Sequence, residues 1–449
     1  MSDIGVAEKA AGGPFAVTHR LILSIAVPMT LGFLTTPLLG ITGTAVAGRT
    51  GRAEDLAGLA IGAVLFDLLF STFNFLRAST TGLTAQALGR GDGAAQRDIF
   101  WRALVSALAA GLLILALSPL LLSAGLWAMA PEGGAREAAR LYFTIRVLSS
   151  PLALANYALL GFVLGRGQGR LGLLLQILLN GTNIVFAVLL GLWAGMGIAG
   201  IAWGAVIGES VAALIGLAIV LSGFPREVPA LARLLDREKL RALFSLNRDI
   251  MIRSFVLIAA FALMTRIGAS FGTVTLAANA VLMNFLLVSA FFLDGMATAA
   301  EQLAGRALGA RDRTAFGRML KLTGLWSLAL SGLLASFFLI LGGPLIATIT
   351  TLPEVRTVAA AFLPWAAISG LTGVLAFLMD GIFIGATWSR DMRNMMLASL
   401  AVYCLALAAL VPAFGNHGLW LAFNLFLMLR GFFLLALLPA RARQSFPAQ

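Results

Sequence analysis

Between residues 21 and 439 the chain is one apolar run after another, parted by stretches that rarely exceed a dozen residues. About 20 consecutive apolar residues suffice for a helix to cross a bilayer, and here such runs recur along the whole chain. With 60% hydrophobic and only 12% charged residues, against roughly 25% charged in soluble domains, the chain reads as an integral membrane protein with no separate soluble domain. The first apolar run, from Leu21, carries Pro28 and Pro37 and no small-residue cleavage site at its end. It is expected to be an uncleaved first helix.

The runs fall at about 21–47, 57–87, 100–123, 138–164, 171–193, 197–222, 248–268, 275–304, 318–346, 358–385, 394–414 and 417–439, which predicts twelve helices. The formal charge of +12 comes from residues scattered through short loops, a pattern of membrane topology and not of a nucleic-acid-binding face. Assigning Lys and Arg to alternate sides leaves Arg49, Arg52, Arg136, Arg140 and Arg356 opposite the termini and Arg77, Arg146, Arg266 and Arg430 within spans. Most of the others fall with the termini, so both ends are expected in the cytoplasm. The single Cys404 excludes an internal disulfide, and His19 and His417 make no metal-ligand spacing.

At an offset near 220 the two halves align. "AQALGRGD" (85–92) lies over "GRALGARD" (305–312), "GFVLGRGQGR" (161–170) over "GIFIGATWSR" (381–390), and "PE" recurs at 131 and 353. A duplicated unit of six helices inserts both copies in the same direction, which predicts two lobes related by a pseudo-two-fold axis along the membrane normal. The expected organisation is an all-α polytopic protein: a cytoplasmic tail (1–20), an N-terminal lobe (21–222), a cytoplasmic amphipathic linker (223–247), a C-terminal lobe (248–440) and a tail (441–449).

Carboxylates within the spans are costly and need a reason. Asp294 and Glu301 are two helical turns apart on one face of the eighth span, with Gln302 beside them. The offset sets Asn74 and Thr81 of the second span over these two acids. Asp294 reads either as a group paired with Arg266 to hold helices together or as a protonatable or cation-binding group coupled to transport. Asp380 and Asp67 leave the same choice open, whereas Glu209 looks structural. Gln176, Asn180 and Asn183 follow i, i+4, i+7 spacing on the fifth span, either joining helices through amide hydrogen bonds or lining a cavity. Met29, Met264, Met283, Met296 and Met379 could contribute an adaptable apolar wall or ordinary packing. "GMGIAG" (195–200) lies in a tight turn between spans and lacks the βαβ setting of a nucleotide site.

At "TTGLTAQALGRGD" (80–92), "FLDGMATAAEQLAGRALGARD" (292–312) and "DGIFIGATWSRDMRN" (380–394) the chain resembles the DinF-like branch of the multidrug and toxic compound extrusion (MATE) family. The resemblance covers nearly all of the chain after residue 20. It implies an antiporter of the bacterial inner membrane that exports cationic or amphipathic compounds in exchange for protons or sodium. Two departures stand out. Family members usually carry an aspartate in a "GLVDTAV"-like stretch of the first span, where this chain reads "GITGTAV" (40–46) and has Gly43. A second acidic position of the branch falls on Ala187.

Three outcomes follow: coupling moved to Asp67, Asp294, Glu301 or Asp380; a weakly coupled carrier; or a different substrate. Relocation is the reading adopted, with Asn74, Gln176, Asn180, Asn183 and Gln302 as cavity or substrate candidates. The lobes are expected to rock about the first and seventh spans. A flippase for lipids or lipid-linked sugars is the alternative, since some of the arginines within spans could face a basic cavity. No Cys/His pair, metal cluster or nucleophile motif supports an enzyme. The expected partners are small-molecule substrates and membrane lipid, without nucleic acid, cofactor or metal, and the protein is expected to act as a monomer.

Overall fold

The structure, a computed structural model, describes residues 15–223 and 236–446. About half of the expected linker (224–235) and parts of both tails therefore lie outside the described residues. The described chain is helical throughout and contains no strand. Eleven helical segments are long and apolar enough to span a membrane, and the last, Ser389–Ser445, is two helices joined at Gly415, where the backbone turns to φ 54°, ψ −130°. The twelve expected helices are thus present.

Several spans are interrupted, two of them beside a proline. The first, His19–Gly48, breaks at Thr35 between helices His19–Leu34 and Thr36–Gly48, because Pro37 in the first turn of the second piece has no N–H to extend the preceding helix. The second span, Ala53–Gly89, breaks at Phe73 and Asn74. In the fourth, Gly133–Gly165, a 3₁₀ turn at Val147–Ser149 precedes Pro151. The seventh behaves differently from the expected linker-then-span order: one helix runs from Arg237 to Ala269 without proline. Residues 237–247, the described end of the expected linker, are therefore continuous with the seventh helix.

The chain divides into two compact units. One comprises Leu31–Thr84 and Asp92–Leu243; the other comprises the segment up to Thr30, Ala85–Gly91 and Phe244 onward. The first unit is cored by Phe66, Phe70, Tyr142 and Phe143, with Phe66 and Phe143 stacked at 5.0 Å. In the second, Tyr403, Trp420, Phe423 and Phe426 are fully buried. A reciprocal amide pair, Asn279 with Asn416 at 2.8 and 3.0 Å, braces the turn after Gly415, and Trp420 Nε1 adds a 2.9 Å bond to Asn279.

The internal duplication is visible bond by bond. Asp92 and Asp312 each cap the following helix, accepting from Ala95 N and Ala315 N at 2.8 Å. Gly161 and Gly165 press against the carbonyl oxygens of Arg77 and Thr81, as Gly381 and Gly385 press against those of Ala297 and Glu301. Gly197, at φ 55°, ψ −128°, repeats the turn made by Gly415. The left-handed residues Gly91 and Gly167 recur as Arg311 and Thr387. These last two adopt that conformation despite carrying side chains, so the shared turn geometry prevails over local preference.

Candidate functional site

In the N-terminal unit, charge converges on Arg146. Its guanidinium lies 4.9 Å above the Phe66 ring, donates to Tyr142 Oη at 2.5 Å and stands 3.9 Å from Glu209. Glu209 is buried and further fixed by a hydrogen bond from Ser149 Oγ, while Asn156 Nδ2 donates to its backbone carbonyl at 2.9 Å. Asp67, one helical position from Phe66, is exposed and interacts electrostatically with the same arginine. Two carboxylates thus compete for one guanidinium. Glu209 holds the packed position, leaving Asp67 accessible to a proton or another cation. Asn74 sits at the break of the second span and accepts from Arg77 Nε at 3.2 Å.

The fifth-span amides separate by partner. Gln176 lies against Gly32, and the buried Asn180 donates to Thr35 Oγ1 at 2.5 Å, so both meet the first span where it breaks. Asn183 instead lies against Gly204 and Gly208 of the sixth span. Gly43, where the family resemblance leads one to expect an acid, faces Leu59 and Ile201, and Ala187 is buried against Gly204.

In the C-terminal unit a second charged group forms. Asp380, 7% exposed, accepts from Arg430 Nη2 at 2.8 Å and from Arg253. Arg430 is itself buried, stacks over Phe426 at 5.7 Å and interacts electrostatically with the half-buried Asp294. Arg266, named as a possible partner of Asp294 from sequence, is exposed. With two guanidiniums on one carboxylate, Asp380 is a neutralised strut between the seventh, tenth and twelfth spans.

Glu301 and Gln302 are buried, at 2% and 1% exposure. Neither atom of the Gln302 amide has a hydrogen-bond partner among the described residues. The adjoining helix end is held by Gln86 Nε2, which donates to Gly385 O at 3.0 Å and Thr387 Oγ1 at 3.2 Å. Met29, Met264, Met296 and Met379 are all buried in packing. Among the described residues no group of His, Cys, Asp and Glu is arranged to hold a metal ion.

Sequence reading passed over Arg253 and Ser149. Arg253 carried a usable signal, a charge five residues inside an apolar run; Ser149 carried none, since its partner is 60 residues away.

The MatE family model matches residues 28–189 and again 250–410, once in each half. The chain is 40% identical over 431 residues to DNA damage-inducible protein F of Escherichia coli K12, covering 94% of this chain and 92% of that protein. It is 26% identical over 457 residues to a probable multidrug resistance protein NorM of Chromobacterium violaceum, covering 97% of each. Among solved structures, the MATE transporter VcmN of Vibrio cholerae in its bent form superposes with a TM-score of 0.87 at 19% identity, over 95% of this chain and 97% of that one. A MOP superfamily transporter from Pyrococcus furiosus gives 0.87 at 16% identity, over 96% and 97%.

Proposed function

Because the chain belongs to the MATE family, in its DinF-like branch, and is a transporter of that type, we propose that it is a secondary active efflux carrier. It would export cationic or amphipathic compounds in exchange for protons or sodium, by alternating access of two lobes. The relative described as a probable multidrug resistance protein supports this substrate class. The observation that carries the coupling assignment is the placement of Asp67, exposed at mid-span beside Arg146 while Glu209 occupies the packed position. A coupling group must interact differently with its cation in the two access states. An acid free to exchange Arg146 for a proton or sodium ion meets that requirement, as does Asp294 beside Arg430.

The same reading places the protein in a bacterial inner membrane, both termini cytoplasmic, working as a monomer without catalysis and with the coupling ion as its only cofactor. The flippase remains the alternative reading; of the four arginines within spans that favour it, Arg146 and Arg430 are engaged by carboxylates, Arg77 donates to Asn74 and Arg266 is exposed. The test is uptake of a fluorescent organic cation by proteoliposomes under an imposed proton gradient and then a sodium gradient. Gradient-driven uptake is expected; uptake indifferent to both gradients would contradict the proposal.

A further inference from the structure

A cleft of about 360 Å³ opens between the helix Ser118–Met129 and the start of the fourth span, lined by Ser123, Leu126, Trp127, Pro131, Arg136 and Arg140. Arg136 and Arg140 stand one helical turn apart and present their guanidiniums to one side. No carboxylate lines the cleft, and among the described residues neither guanidinium is paired with one. This separates them from two of the three other arginines expected on the same membrane face, Arg49 being the third and also without a carboxylate partner among the described residues. Arg52 is bound to Asp55 at 2.7 Å, and Arg356 donates to the carbonyls of Thr350 and Ala347 at 2.8 and 2.9 Å.

The surroundings indicate depth in the bilayer. Trp127 is 84% exposed and Trp193, in the turn that ends the fifth span, is 82% exposed; tryptophan concentrates at the headgroup level. Leu113, near the end of the third span, and Leu117 and Leu120, at and beyond the break that starts the next helix, are exposed as well. Two arginines without a carboxylate partner among the described residues therefore share the cleft with an exposed indole.

We propose that this cleft binds the phosphate group of an anionic phospholipid. Guanidinium planes match phosphate oxygens in bidentate geometry, and the cleft has room for the rest of a headgroup.

The test is native mass spectrometry of the full-length purified protein titrated with phosphatidylglycerol and, separately, phosphatidylcholine. The wild type should prefer phosphatidylglycerol, and the double variant Arg136→Gln/Arg140→Gln should lose on the order of tenfold or more of that affinity with phosphatidylcholine binding unchanged. Arg136→Lys/Arg140→Lys keeps the charge and should retain most of the preference. Equal phosphatidylglycerol binding by wild type and the Gln variant would overturn the site, as would equal losses in the Gln and Lys variants with lowered melting temperatures. Displacement of phosphatidylglycerol by millimolar inorganic phosphate would overturn the lipid assignment in favour of a free-anion site.

Discussion

Arg430 donates from Nη2 to Asp380 Oδ2 at 2.8 Å, and both side chains are buried in the C-terminal unit. Arg253 reaches the same oxygen, so two guanidiniums share one carboxylate. Removing the anion would strand both cations. Asp380→Asn should cost about 3–5 kcal/mol of stability, the range seen when one partner of a buried ion pair is deleted. The check is the melting temperature and folded yield of the purified variant. An Asp380→Asn protein as stable as wild type would show that the strut is dispensable.

The acids of the N-terminal unit should separate by function. Glu209 is tied to Ser149 and Arg146, so Glu209→Gln should lower stability by about 1–3 kcal/mol yet leave gradient dependence in place. Asp67 is exposed, so Asp67→Asn should change stability by no more than about 0.5 kcal/mol while abolishing gradient-driven export. Thermal melts paired with transport assays on both variants read this difference directly.

Glycine spacing should be felt as packing. A Cβ at Gly385 would collide with Glu301 O, and one at Gly165 would fall 2.7 Å from Thr81 O, whereas one at Gly317 meets nothing within 4 Å. Gly385→Ala and Gly165→Ala should each destabilise by roughly 1–3 kcal/mol, and Gly317→Ala should not. Detergent-resistant yield and melting temperature of the three variants provide the comparison.

These contrasts also mark what the sequence made legible. Apolar run length and the 220-residue offset were enough to place twelve helices and the duplication, because spanning length and close helix packing act through local composition and spacing. The pairs Gly161 and Gly381, and Gly165 and Gly385, aligned from sequence, pack against corresponding carbonyls. The partners of the buried charges were less accessible. Asp380 meets Arg253 across 127 residues and Arg430 across 50, contacts fixed by how helices are arranged and not by any local pattern. Asp294 was set beside Arg266 by proximity of the seventh and eighth spans, yet Arg430 of the twelfth interacts with it. The i, i+4, i+7 stripe of Gln176, Asn180 and Asn183 was legible as a face, but Asn183 lies where that face turns toward the sixth span. Residues 237–247 contain no helix breaker, so the part of the expected linker that is described continues into the seventh helix.

The central claim is that Asp67 and Asp294 supply the coupling that positions 43 and 187 no longer can. The most direct measurement compares gradient-driven uptake with gradient-free exchange of the same organic cation in proteoliposomes, for wild type, Asp67→Asn and Asp294→Asn. The account predicts that wild type concentrates the cation under a proton or sodium gradient and that each variant loses this accumulation while still exchanging substrate. Accumulation that persists undiminished in both variants would contradict it.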